Sequence, residues 1–138
     1  MCTETRAVVY RGGVLFVWMA VIFSFSSLPG NGVAVDSPLW YVAERKGAHL
    51  AEFALLTTLA FSFLRSVFLK ESWVWLLGTA AAWAVAYGAL DELHQAFVFG
   101  RGSPFSDVLI DALGAWMATL YLGFFMRTVQ RKEQKKVV

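Results

Sequence analysis

Two short spacings in this sequence place a carboxylate and an imidazole one helical turn apart. They are His49-x-x-Glu52 and Asp91-x-x-His94, and together they contain both histidines of the chain. Side chains three residues apart lie on neighbouring positions of a helix surface, so the members of each pair can act together. A histidine oriented by a carboxylate is a typical general base, and carboxylate–histidine pairs on facing helices also build metal centres in four-helix bundles. The spacing fits both chemistries.

Six further polar residues lie near these pairs along the chain: Lys46, Gln95, Arg101, Ser103, Asp107 and Asp111. Arg101 stands between two glycines, and a guanidinium binds phosphate or carboxylate groups through two parallel hydrogen bonds. Asp107 and Asp111 are four residues apart and therefore share one face of a helix. We predict that these six residues bind a ligand close to the two carboxylate–histidine pairs.

Helical phase predicts which side chains around Asp91 face the same way. Asp91, His94 and Gln95 share one helix face about 100° wide. Glu92 is expected to point aside from that face, and it is not among the candidate site residues. The predicted contribution of this helix to the site is therefore Asp91, His94 and Gln95.

The polar residues are set in a very apolar chain. Of its 138 residues, 58% are hydrophobic and 16% are charged, whereas about 25% of residues are charged in typical soluble domains. This composition predicts a membrane protein and argues against a nucleic-acid partner, because the basic residues mostly flank apolar segments. Four apolar runs, at about 13–28, 47–64, 73–96 and 107–126, approach the length of about 20 residues that crosses a bilayer as a helix.

The predicted fold class is an all-α membrane protein, a bundle of four transmembrane helices formed by residues 13–126. Residues 1–12 are predicted to form an N-terminal cytoplasmic tail, and residues 127–138 a basic cytoplasmic tail. Nine lysines and arginines fall on the side of the two termini and three on the other side. The positive-inside rule then places both termini in the cytoplasm and the candidate site residues at the outer ends of the helices.

Ionisable side chains are expected to lie below the membrane surface, and this position indicates that they serve a function. Glu52 lies about 9 Å below Lys46 along a helix, and Asp111 lies about 6 Å below Asp107. An ionisable side chain inside the bilayer costs about 2.5–3.5 kcal/mol on insertion scales unless it is paired or hydrated. We therefore expect the polar residues to converge on a site or on a buried hydrogen-bond network.

Five polar segments follow one another along the chain: Ser26-Ser27-Leu28-Pro29-Gly30, Lys46-Gly47-Ala48-His49-Leu50-Ala51-Glu52-Phe53, Asp91-Glu92-Leu93-His94-Gln95, Gly100-Arg101-Gly102-Ser103 and Asp107 to Gly114. In this order they resemble the VanZ-like family of bacterial integral membrane proteins. The resemblance implies a four-helix domain in the bacterial cytoplasmic (inner) membrane, with its site facing the extracytoplasmic side. It also implies an association with the cell envelope, since some members are linked to reduced susceptibility to the glycopeptide antibiotic teicoplanin.

Two positions depart from the family pattern. Phe53 stands where the family often has Tyr, which removes a hydroxyl group. Asp111 stands where Asn is common, which adds a charge. An ionised Asp111 needs a partner, and Arg101 and Lys46 are the expected partners.

Three functions fit these observations. In the favoured one, an outward-facing polar pocket recognises an anionic lipid or lipid-linked cell-envelope intermediate, held by Lys46 and Arg101, without a cofactor. In the second, an intramembrane enzyme modifies a lipid or lipid-linked sugar; its catalytic residues, or its ligands for a transition metal, would be His49, Glu52, Asp91 and His94. In the third, the chain is a small structural or assembly protein whose buried polar residues serve packing. The oligomeric state stays open.

Overall fold

Four α-helices account for nearly all of the residues that the computed structural model describes, which are 3–30, 39–101 and 105–137. Helix α1 spans Thr3–Ser26, α2 Leu39–Val67, α3 Trp73–Gln95 and α4 Phe105–Val137. No strand occurs in this described part of the chain. The predicted all-α, four-helix fold class is confirmed.

The helices extend beyond the apolar runs that predicted them. Helix α1 begins at Thr3 and α4 continues to Val137, so both predicted tails are largely helical. The segment added to α4 is rich in Glu, Gln, Lys and Arg, which have good intrinsic helix propensity and prolong a helix that has already started. The side of the membrane on which these segments lie stays a prediction.

All four helices are long and apolar enough to cross a membrane. Their outward faces carry large apolar side chains, of which Phe16 and Phe124 are each 73% exposed and Tyr121 is 70% exposed. Exposed apolar surface on this scale is stable only against lipid. The structure therefore agrees with a multi-pass membrane protein.

Helices α2, α3 and α4 each pack against the other two, whereas α1 lies mainly along α2. Within the described residues, α1 touches α3 only slightly and does not contact α4. The shared core towards the end where α2 stops and α3 starts is apolar and includes Leu64, Leu76 and Leu77. The chain thus forms a three-helix unit with α1 attached to one side.

Two glycines let the helices approach closely near the opposite end of the bundle. A Cβ atom at Gly114 of α4 would collide with the carbonyl oxygen of Leu50 in α2. A Cβ atom at Gly88 of α3 would lie 3.1 Å from both the Asp111 carboxylate and the Phe53 ring. Small residues at such positions bring backbones together in lipid, and here they bring polar side chains of three helices within reach of one another.

Candidate functional site

The end of the bundle formed by the C-terminal ends of α1 and α3 and the N-terminal ends of α2 and α4 is polar. We call it the polar end. Hydrogen bonds or short contacts there join residues of all four helices, which are far apart in the sequence. Its buried polar side chains are Ser26, His49, Asp91, Glu92, Gln95, Asp107 and Asp111. Two groups of contacts can be distinguished within it.

The first group, which we call the α1 latch, consists of Ser26, Asp91, Gln95 and Arg101. The guanidinium of Arg101 donates through Nε to the carbonyl oxygen of Leu28 at 3.0 Å and through Nη2 to that of Phe25 at 2.6 Å. Basic side chains commonly satisfy the free carbonyl groups at a helix C-terminus in this way. Arg101 therefore joins the loop after α3 to the end of α1.

The inner part of the latch connects Arg101 to the core through side chains. Arg101 Nη1 donates to Gln95 Oε1 at 3.0 Å, and Gln95 Nε2 donates to Asp91 Oδ2 at 2.8 Å. Ser26 Oγ donates to the same Asp91 oxygen at 2.6 Å. Because Ser26, Asp91 and Gln95 are each at most 4% exposed, this chain of hydrogen bonds is shielded from water.

The second group, which we call the carboxylate–histidine cluster, consists of His49 of α2, Glu92 of α3 and Asp111 of α4. The Nδ1 atom of His49 lies 3.1 Å from Oδ1 of Asp111. One ligand atom from each of the three side chains lies within 4.8 Å of the other two. Gln95 connects the cluster to the latch, since its Nε2 also donates to Glu92 Oε1 at 3.3 Å.

The cluster has more acceptors than donors. Among the described residues, three buried carboxylate oxygens have no hydrogen-bond partner: Oδ1 of Asp91, Oε2 of Glu92 and Oδ2 of Asp111. Two of the three belong to the cluster, where His49 is the basic member. A buried acceptor without a partner costs about 1–3 kcal/mol, and more if it is charged. Such atoms require a proton, a cation or another donor.

Lys46 and Asp107 form an ion pair at the rim of the polar end. Lys46 Nζ lies 3.2 Å from Asp107 Oδ1, which also accepts a hydrogen bond from Ser106 Oγ at 3.2 Å. The Lys46 side chain is 41% exposed and that of Asp107 is 11% exposed. Lys46 is three residues before His49, so it lies one turn above the cluster on α2.

One known protein family matches the part of the chain that carries the latch and the cluster. The family described as VanZ/LLP1 matches residues 12–127, which include every residue of the latch and of the cluster. The chain belongs to the VanZ/LLP1 family. No curated protein and no solved structure matches the chain significantly. The resemblance inferred from the five polar segments is thereby confirmed.

In this VanZ/LLP1 protein, the buried face of α3 is wider than the sequence-based prediction, because it includes Glu92 in addition to Asp91 and Gln95. Glu92 was expected to point aside, but it is 2% exposed and is the α3 member of the cluster. A sequence signal for this does exist, because Ala80, Ala84 and Gly88 are buried at intervals of four residues and the next step is Glu92. Small residues at this spacing mark the buried face of a membrane helix.

Among the described residues, no hydrogen bond or ion pair joins the histidine to the carboxylate within either predicted pair, His49 with Glu52 or His94 with Asp91. His94 lies apart from the cluster: its Nε2 is 3.1 Å from Ser27 Oγ and its ring centroid is 4.6 Å from that of Phe23. Glu52 is partly buried next to His49 on α2, and its backbone carbonyl accepts a hydrogen bond from Trp18. The four residues predicted as metal ligands therefore do not form one group.

The partner of Asp111 in this VanZ/LLP1 protein is neither of the two expected cations. Its carboxylate faces His49, whereas Lys46 pairs with Asp107 and Arg101 belongs to the latch. The expectation was wrong because Arg101 is drawn to the carbonyl groups at the end of α1. Ser103, a predicted ligand-binding residue, lies outside the described residues.

Proposed function

We propose that this VanZ/LLP1 membrane protein binds the anionic head group of a membrane lipid, or of a lipid-linked cell-envelope intermediate, at the polar end of its bundle. The observation that carries the proposal is the position of Lys46. Its side chain is 41% exposed at the rim, and Lys46 lies one helical turn from the buried His49. An anion that reaches Lys46 from the lipid surface therefore also approaches the cluster.

Exposed aromatic residues near the rim support binding from the membrane. Trp40, near the start of α2, is 67% exposed, and Phe97 and Phe99, in the segment after α3, are 83% and 88% exposed. Aromatic residues concentrate where a membrane protein meets the interfacial region of the bilayer. They support a position of the rim at the depth of lipid head groups.

Arg101 has a positioning role in this proposal. Three of its five N–H groups already donate to Phe25, Leu28 and Gln95. Within the part of the chain that the structure describes, Lys46 pairs with Asp107 alone, and it can turn to a phosphate group by giving up this partly exposed ion pair. Such a pair is worth about 1 kcal/mol or less, so the exchange is easy.

The test compares neighbouring basic residues on α2. Wild-type protein, Lys46→Ala and Arg45→Ala are reconstituted in nanodiscs or detergent, and binding of phosphatidylglycerol and of phosphatidylcholine is measured by native mass spectrometry. We expect Lys46→Ala to weaken phosphatidylglycerol binding about tenfold or more, since a charge-assisted hydrogen bond contributes about 1.5–3 kcal/mol. Arg45 is exposed and serves as the matched control for loss of one positive charge.

Two results would contradict the proposal. One is equal binding of phosphatidylglycerol by Lys46→Ala and the wild type. The other is an equal loss in Arg45→Ala, which would indicate general attraction by positive charge without a site.

A further inference from the structure

Three helices each place one buried metal-ligand side chain at the same point. His49 comes from α2, Glu92 from α3 and Asp111 from α4, and their exposed fractions are 9%, 2% and 1%. Buried charges in membrane proteins are expensive and are normally paired or bound to an ion. Here two carboxylates face one imidazole.

The unsatisfied oxygens are the independent sign of a ligand. Oε2 of Glu92 and Oδ2 of Asp111 are buried without a hydrogen-bond partner among the described residues. The opposite oxygens are engaged, Oε1 of Glu92 by Gln95 and Oδ1 of Asp111 by His49. Glu92 is thus oriented by Gln95, an outer partner of the kind that orients ligands in metal sites. Asp111 is oriented by His49, which would share the ion with it, and each carboxylate leaves one oxygen free.

The spacing of the ligand atoms fits a small cation. Nitrogen and oxygen ligands bind zinc at about 2.0–2.2 Å, so two ligands of one ion are at most about 4.4 Å apart. The ligand atoms of His49, Glu92 and Asp111 lie within 4.8 Å of one another. A side-chain movement of a few tenths of an ångström would bring all three into coordination distance.

Neighbouring positive charges do not occupy this position. Lys46 Nζ is bound to Asp107, and the Arg101 guanidinium donates to Gln95 and to carbonyl groups of α1. Neither donates to the free oxygens of Glu92 and Asp111. The negative charge of the cluster is therefore available to a cation.

We propose that His49, Glu92 and Asp111 bind a divalent transition-metal ion such as Zn²⁺ or Mn²⁺ at the polar end. One imidazole and two carboxylates are ligands that these ions accept, and the imidazole favours them over Mg²⁺ and Ca²⁺. Three protein ligands leave one coordination position open to water or to an oxygen of a bound molecule. The ion would also join α2, α3 and α4 at their polar end.

The test measures metal content and affinity in tag-free protein purified in detergent. Wild type, His49→Ala, Glu92→Gln and His94→Ala are stripped with EDTA, titrated with Zn²⁺ or Mn²⁺, and analysed by elemental mass spectrometry after gel filtration. We expect about one ion per chain in the wild type and in His94→Ala, and affinity weakened more than about 100-fold in His49→Ala and Glu92→Gln. His94 is the matched control because it is the other histidine and lies outside the cluster.

Glu92→Gln keeps the test decisive if His49→Ala fails to fold. Gln has nearly the same volume as Glu and retains the acceptor for the Gln95 hydrogen bond. Added Zn²⁺ is expected to raise the thermal unfolding midpoint of the wild type but not that of Glu92→Gln, since an ion that binds only the folded state stabilises it. If Glu92 had only a structural role, Glu92→Gln would change the unfolding midpoint equally with and without added Zn²⁺.

The inference is overturned if the wild type binds neither ion, or if His94→Ala loses the ion as completely as His49→Ala. It goes beyond the binding of head groups, and the two proposals fail separately. If the wild type binds no metal but binds phosphatidylglycerol in a way that depends on Lys46, only the metal-site proposal is overturned. Metal binding without Lys46-dependent lipid binding would overturn only the head-group proposal.

Discussion

The α1 latch and the carboxylate–histidine cluster are neighbours at the polar end, but their balance of donors and acceptors differs. In the latch, Arg101, Gln95 and Ser26 supply donors to Asp91 and to carbonyl groups of α1. In the cluster, two carboxylates converge with His49 as the basic member, and each keeps a free buried oxygen. The latch also keeps one buried oxygen without a partner among the described residues, Oδ1 of Asp91, but its other acceptors have donors. Buried polar groups of a membrane bundle thus join helices where donors serve most of the acceptors, and become candidates for ligand binding where free acceptors of two carboxylates converge.

The largest expected effect comes from removing the centre of the latch. Arg101→Ala removes the donor to the carbonyl group of Leu28 and to the amide oxygen of Gln95, and leaves the carbonyl group of Phe25 with only the N–H group of Leu28. We expect a loss of about 2–3 kcal/mol in the free energy of unfolding, measured by denaturant titration in detergent.

Arg101→Lys is expected to recover only a small part of this loss, because an ammonium group cannot reproduce the planar set of donors. Arg45→Ala changes an exposed residue and should alter stability by less than about 0.5 kcal/mol. Equal stability of Arg101→Ala and Arg45→Ala would disprove the structural role of the latch.

A smaller loss of stability is expected on removing Ser26 from the latch, and the adjacent Ser27 serves for comparison. Ser26 is 4% exposed and donates to Asp91. Ser27, just after α1, is exposed, donates to the carbonyl group of Phe23 and lies 3.1 Å from Nε2 of His94. Ser26→Ala should lower the free energy of unfolding by about 1–2 kcal/mol, and Ser27→Ala by less than about 0.5 kcal/mol. The same denaturant titration measures both, and a reversed order would show that Asp91 does not depend on Ser26.

The smallest expected change is a slight gain in stability, caused by a substitution in the cluster. In EDTA, Glu92→Gln removes one of two converging carboxylates and keeps the Gln95 hydrogen bond. We expect stability equal to that of the wild type or higher by up to about 1 kcal/mol, because burying an uncompensated charge is costly. Thermal unfolding followed by circular dichroism checks the direction. A clear loss of stability in EDTA would place Glu92 with the structural residues of the latch.

Much of the fold follows from the sequence. The four apolar runs predict the four helices, and Pro29-Gly30 marks the end of α1 because proline does not continue a helix. The helix ends are less predictable, since apolar runs do not report the polar residues that continue a helix outside the membrane. For that reason α4 reaches Val137, well beyond its apolar run.

Most members of the candidate site were predictable, with Glu92 as the exception, and their contacts were less predictable. The position of polar residues near helix ends indicates which of them can meet at one end of a bundle. The rotation of α3 about its axis and the path of the loop that carries Arg101 depend on tertiary packing. These two features decide that Glu92 joins His49 and Asp111, and that Arg101 contacts α1.

The contact of Arg101 with backbone carbonyl groups of α1 has a consequence for biosynthesis. Arg101 follows Phe25 by 76 residues, so the end of α1 is synthesised long before its donor exists. Until then, water at the membrane surface must hydrate these carbonyl groups. The latch therefore closes only after α2 and α3 have been made, whereas the packing of α1 along α2 does not wait for Arg101.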